Sequence, residues 1–464
     1  MPSSPILSAL LQQMADAFGV ENLPPMHWTG QGGLRSPFYV TELAAASMGF
    51  AAGLLTLYRQ GKPTPVTTDC RLASFWFGMS LRPQGWQLPG LWDALAGDYA
   101  GRDGWIRLHT NAAPHRKAAL AVLGAVSDRS ALAERVRHRD CDELEAAVVA
   151  AGGCAATMRS PADWRVHPQG RAVAAEPLVR WHSRAATGAG PALPVPDPAR
   201  PLRGVRILDL TRVLAGPVAG RFLAGFGAEV LRIDPPDWDE PGVIPEVTLG
   251  KRCARLDLRS TQGRETLLQL LSQADVLLHG YRPGALDALG LGETERHACN
   301  PDLIDVALDA YGWSGPWAGR RGFDSLVQMS SGLAALGMTH AGAERPVPLP
   351  VQALDHACGY LLAAAVLQGL RQCEQQGQVV QARLSLARTA QLLLAAGHDN
   401  RPEPLAPETA ADRAPRIEQT DWGAAQRVRF PLTLAGCEVH WDYPACRLGS
   451  AAAQWSAQSP ASRV

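Results

Sequence analysis

From Val205 onward the chain keeps a rhythm that few folds satisfy: a short apolar run, a helical stretch, another apolar run. VRILDL at 205–210 reads as a buried strand. PVAGRFLAGFGA follows as a helix, with Pro217 near its first turn and Gly227 near its end, and EVLRID is a second strand. DVLLHGY at 275–281 and LIDVALDAYG at 303–312 read as further strands, with the helical TQGRETLLQLLSQA before the first of them. Strand, helix, strand in this order argues for an α/β fold built on a Rossmann-like parallel sheet.

Upstream, GAGPALPVPDPARP from Gly188 to Pro201 has the Pro and Gly density of a linker. Before it, from about Asp98 to Ala185, a strand-like GWIRLHT precedes the helical patterns HRKAALAVLGAV and DELEAAVVAAGG, which suggests a smaller α+β domain. The expected division is an N-terminal segment 1–92, a small domain 93–185, a linker 186–200, a sheet domain 201–395 and a C-terminal segment 396–464. There is also an internal echo. Residues 42–76 and 354–388 both read as an Ala-rich helix with an Arg near its end, a turn, and a strand ending in Arg-Leu.

Lys plus Arg equals Asp plus Glu, 44 against 44, so charge gives no argument for a nucleic-acid partner. No apolar stretch of membrane-spanning length runs without Gly, Pro or charge breaking it, so no membrane partner is expected. The opening MPSSPILSALLQQMADAFGV lacks a basic leader and reads as an amphipathic helix. The nine cysteines include no C-x-x-C pair, which fits reduced thiols in the cytoplasm, and no His/Cys/Asp cluster has metal-site spacing.

LRGVRILDLTRVLAGPVAGRFLAGFGAEVLRIDPP at 202–236 resembles the opening of class III CoA-transferases. Four further blocks follow in that family's order: 250–265, 274–292, 300–332 and 353–370. The resemblance implies a large Rossmann-like domain, a smaller α+β domain, CoA and acyl-CoA as substrates with no permanent cofactor, a carboxylic acid as acceptor, and a homodimer. Residues 42–76 look like the family's post-catalytic helix and strand, and 98 to about 182 like its small domain. The small-domain-like part thus precedes the catalytic half, as in a permuted or partly duplicated chain. The GFD-type motif occurs once, which implies one active site per chain.

Asp324, after Gly322 and Phe323, matches the family's nucleophile. An Asp before a helix also serves as an N-cap, and the two roles are compatible. A carboxylate beside a helix N-terminus is expected to stay ionised, as attack on a thioester requires. The family's mechanism passes through a mixed anhydride and an aspartyl-CoA thioester. Gly312, Gly315, Gly319 and Gly322 are candidates for close backbone approach to an oxyanion, or plain turn residues. For the CoA phosphates the candidate anchors are Arg232, Lys251, Arg252 and Arg282. By resemblance Val213, Leu214 and Ala215 line the nucleotide at the end of the first strand. Asp355 matches an Asp that is a proton-transfer base in the family's racemases, and its other reading is a helix cap.

Three alternatives stand beside the transferase. A racemase would use a His before the first Asp, where this chain has Phe323, although His356 adjoins Asp355. A nicotinamide enzyme would need G-x-G-x-x-G, where the turn reads LAGPVAG. A non-catalytic CoA-binding relative would explain the altered blocks Thr248-Leu249-Gly250-Lys251 and His279-Gly280-Tyr281-Arg282, where the family commonly has an Asn.

Overall fold

The computed structural model of the protein describes residues 4–60, 64–188, 190, 193–398 and 403–456. At its centre is a seven-stranded sheet. In chain order its strands are β1 (Arg180–Ala185), β2 (Arg206–Leu210), β3 (Glu229–Asp234), β4 (Lys251–Arg255), β5 (Val276–His279), β6 (Ile304–Asp309) and β7 (Gln378–Ser385). They lie side by side in the order β4-β3-β2-β5-β6-β7-β1. Every pairing is parallel except β7 with β1, which is antiparallel. The chain builds outward from β2 in one direction and then returns through β5 in the other. Such a reversal leaves a crevice at the carboxyl ends of the strands.

β1 corrects the expected boundary at 185. The sequence reading groups it with the smaller domain, but its backbone satisfies the open edge of β7, so it belongs to the large sheet. The smaller unit is a three-stranded antiparallel sheet, Gly97–Ala100, Trp105–Leu108 and Ala155–Thr157, covered by the helices Ala113–Leu123, Arg129–Arg137 and Cys141–Ala150. It has a core of its own around Tyr99, Ile106, Leu132 and Leu144. Of the linker, residues 189, 191 and 192 lie outside the described residues, and the rest forms no helix or strand. Of the C-terminal segment, 399–402 and 457–464 also lie outside them.

Four helices position the site: α1 (Val40–Gln60), α2 (Ala215–Gly225), α3 (Asp324–Ser330) and α4 (Ala353–Gln376). α4 is buried without a break from Ala353 to Leu370, which its Ala- and Gly-rich sequence permits because neighbouring backbones approach closely. It packs on α1 and on α2. Contrary to the sequence expectation, α1 and α4 are each long and apolar enough to cross a membrane, but their apolar windows are wholly buried inside the protein.

The internal echo has a structural counterpart. α1 leads to the strand Val66–Asp69 and the helix Cys70–Trp76, as α4 leads to β7 and the helix Leu386–Ala395. Each strand ends on the cap of the next helix. Asp69 Oδ1 accepts from the Leu72 N–H at 2.9 Å, and Ser385 Oγ from the Arg388 N–H at 3.2 Å. The first strand of the echo joins a separate small sheet, parallel to Met26–Thr29 and antiparallel to Leu432–Leu434. The two chain ends are thereby knitted together. A buried Glu246 ties them to the large domain, accepting from the Ser80 hydroxyl at 2.7 Å and pairing with both Arg221 and Arg427.

At Gly359 α4 approaches α2 closely. A Cβ there would stand 2.4 Å from the Ala215 carbonyl oxygen, a backbone atom that cannot rotate away. Gly359→Ala is therefore expected to lower folding stability by about 1–3 kcal/mol. Urea unfolding would show this as a lower midpoint, and an unchanged midpoint would contradict the packing described.

Candidate active site

The turn from β2 into α2 carries backbone strain. Val213 has φ 64°, the one non-glycine residue with positive φ among the described residues. A β-branched residue is costly there, by about 1–3 kcal/mol, so the surroundings must hold it. The Val213 N–H donates to Glu240 Oε2 at 2.9 Å, and the same oxygen accepts from Trp238 Nε1 at 2.8 Å. The other oxygen of Glu240 pairs with Arg232. Residues 238–240 are thus folded over the turn by one carboxylate.

Two cavities flank this turn. The first, about 210 Å³, lies at the carboxyl ends of β2 to β5 and is lined by Arg212, Asp234, Pro235, Asp257 and Tyr281 among others. The second, about 220 Å³, is lined by Val213, Trp238, Glu240, Trp92, His109 and Phe323 among others. Arg212 is a residue the sequence reading missed. Its Nη2 donates to the Tyr281 hydroxyl at 2.8 Å, and its guanidinium lies 4.8 Å from the Trp238 ring centre and 5.2 Å from that of Tyr281. A cation on two aromatic faces is a sequence-distant arrangement that no local motif announces.

The expected phosphate anchors separate. Arg232 is fully buried and bound to Asp234 at 2.9 Å and to Glu240. Lys251 is equally buried, 2.7 Å from Asp209, and its burial pulls its pKa down. Neither side chain lines either of these two cavities, so the expectation that they meet phosphates is corrected: they neutralise carboxylates beneath the crevice. Arg252 points to the amino ends of the strands, donating to the Gln454 carbonyl at 2.8 Å and pairing with Glu229. Arg282 is exposed just past the end of β5. Val213 lines the second cavity, whereas Leu214 and Ala215 are buried and line neither.

Asp324 is the first residue of α3 and is fully buried. It does not cap its own helix. Its Oδ2 instead accepts from the N–H groups of Leu354 and Asp355, at 2.8 and 3.0 Å, in the first turn of α4. Its Oδ1 accepts from Gln328 Nε2 at 2.5 Å, and Gln328 is itself fixed by the Leu349 N–H at 2.7 Å. Burial raises its pKa to about 6, against the opposing pull of the Asp355 N–H, Gln328, the Leu354 N–H and Arg107. The helix N-terminus alone predicts an ionised carboxylate; the structure also closes it in and moves its pKa upward. Asp355 is buried beside it, and burial together with the charge of Asp324 pushes its pKa well above the usual carboxylate range.

Asp324 lines neither cavity, but Phe323 before it forms part of the wall of the second. The His109 ring stacks on Phe323 with centres 3.8 Å apart and planes 6° apart. Burial holds His109 neutral, with a pKa of about 3. His356 stacks on Phe77 in the core and lines neither cavity, so it offers a racemase no base there. Two of the candidate oxyanion glycines are tightly packed, whereas Gly319 faces open space. A Cβ on Gly315 would meet Ala172 at 2.5 Å, one on Gly322 would meet Ala310 at 2.6 Å, and none of the four lines either of the two cavities.

Residues 202–421 match the family model described as CoA-transferase family III. A probable fatty acyl-CoA transferase of Mycobacterium tuberculosis is 37% identical over 199 residues, 40% of this chain and 50% of that protein. A crystal structure of that mycobacterial protein covers 43% of this chain and 57% of its own, at 36% identity and a TM-score of 0.40. A succinyl-CoA:glutarate CoA-transferase of Mus musculus is 33% identical over 195 residues, 39% of this chain and 44% of that protein. The chain spans about half the length of the known relatives it matches. The matched stretch holds β2 to β7, α2 to α4 and Asp324, and in it the chain is similar to CoA-transferase family III.

Proposed function

We propose that this chain moves CoA between an acyl-CoA and a carboxylic acid, with Asp324 as the covalent carrier. The observation that carries this reading is the setting of Asp324: a buried carboxylate on the helix N-terminus of α4, one residue behind the aromatic wall of a cavity that adjoins the strand crevice. The nucleotide end of CoA occupies the crevice near Arg212, Trp238 and Tyr281, with Arg282 at its rim. The pantetheine arm passes the strained turn at Val213 and brings the thioester toward Phe323.

One Asp324 oxygen attacks the thioester carbonyl; the C–S bond breaks and CoA leaves as thiolate, giving a mixed anhydride. The thiolate then adds to the Asp324 carbonyl carbon and the donor acid leaves as a carboxylate, giving an aspartyl-CoA thioester. An incoming carboxylate reverses both steps. The Leu354 and Asp355 N–H groups already hold one Asp324 oxygen, so they are in place to receive the oxyanion formed at that carbon. The reaction requires the Phe323 ring to leave the His109 face, since Asp324 is otherwise sealed.

That same seal supports a second reading, a CoA-binding relative without transfer, because both oxygens of Asp324 are engaged within the protein. Exchange of labelled carboxylic acid into acyl-CoA separates the two. The transferase reading expects exchange that falls at least about a thousandfold in Asp324→Ala. Exchange absent from the intact protein, or undiminished in the variant, would contradict it. The attacking group must be deprotonated, so kcat/KM is expected to rise with pH through an apparent pKa of about 6 and level off above it. Arg212→Ala is expected to weaken acyl-CoA binding about tenfold, roughly 1.4 kcal/mol, with kcat little changed. Titration calorimetry showing unaltered affinity would remove Arg212 from the nucleotide site.

A further inference from the structure

The second cavity has a chemistry of its own, and much of its wall comes from residues 90–93 and from His109, Asn111 and Ala112, outside the matched stretch 202–421. Resting on the transferase reading above, we propose that this cavity selects an uncharged acyl group, aliphatic or aromatic, and rejects acyl groups that carry a second carboxylate.

The ionised groups lining the cavity are all acidic: Asp93, Asp239 and Glu240. No Lys or Arg lines it. The cations near these walls already have partners. Arg107 binds Asp98 at 2.7 Å and lies 4.9 Å from the centre of the Trp92 ring; Arg116 pairs with Asp93 at 3.2 Å; Arg232 pairs with Glu240 and Asp234. Arg321 is exposed and acts on His115 and Cys154, but it too is absent from the wall. Asp239 is exposed and has no ion pair among the described residues that would cancel its charge at the cavity. A terminal carboxylate entering here finds like charge and no fixed donor cation, whereas discrimination of this kind rests on repulsion as much as on attraction.

The remaining surface is apolar. Trp92, Trp238, Phe323 and Val213 contribute faces and methyls to it. At its rim Leu91 and Trp92 are 49% and 41% exposed, two of the few large apolar side chains the protein leaves open to solvent. Adjacent exposed apolar groups at a cavity mouth mark a binding surface for an apolar ligand.

The test is calorimetric titration of the intact protein with propionyl-CoA, benzoyl-CoA and succinyl-CoA, repeated with Asp239→Lys. The two neutral thioesters are expected to bind at least tenfold more tightly than succinyl-CoA, and Asp239→Lys to narrow that ratio at least threefold. Succinyl-CoA binding equally or more tightly, or a ratio unmoved by the substitution, would overturn the inference. Turnover of the same three thioesters is measured separately. A binding preference without turnover leaves the acyl selectivity standing and counts against transfer; turnover without a preference does the reverse.

Discussion

The first turn of α4 is the point on which both fold and site depend. Its free N–H groups, at Leu354 and Asp355, are satisfied by the Asp324 carboxylate, and one turn later Gly359 rests on the carbonyl of Ala215. Helix N-termini leave unpaired donors that favour negative charge. Here the donors belong to a long core helix, and the charge is supplied by a residue some thirty positions earlier in the chain. The same helix therefore fixes the candidate nucleophile and, through α2, the strained turn that borders both cavities. Displacing α4 would disturb both at once.

Electrostatics around this centre follow a single pattern. Asp209, Asp234, Asp305 and Glu246 are buried, and each is matched by an Arg or Lys at close range. Removing one partner of such a pair leaves an uncompensated charge in the interior, which costs more than the pair contributes. Asp309, Asp324 and Asp355 break the pattern. Asp324 and Asp355 are two carboxylates in one buried place without a cation in contact; burial pushes both pKa values upward, and the charge of Asp324 raises that of Asp355 further. Groups perturbed in this way cluster at functional sites. The sites where a fold departs from its own rule are where chemistry is to be sought.

Much of the fold was legible because its strands are apolar runs and its helices begin and end on Pro, Ser, Asp and Gly. VRILDL, EVLRID and the helix between them occur where their pattern places them. What was not legible is long-range. The edge strand β1 looks like the end of the small domain until its pairing with β7 is seen. The burial of Arg232 and Lys251 depends on Asp209, Asp234 and Glu240 arriving from other segments, and a basic residue near a strand end looks the same whether it faces a phosphate or a carboxylate. Asp324 was legible as a residue and not as an environment: its motif names it, but the partners that shift its pKa come from α4 and Gln328. Arg212 was overlooked because its meaning comes from Trp238 and Tyr281, which only the sheet brings together.

The central claim is that Asp324 becomes covalently attached to CoA. Incubation of the protein with an acyl-CoA, followed by proteolysis and mass spectrometry, tests it most directly. The account predicts a peptide containing Asp324 heavier by CoA less one water, converted to a hydroxamate by hydroxylamine and missing from Asp324→Ala. An adduct on another residue, or turnover with no adduct at Asp324 under any trapping condition, would contradict it.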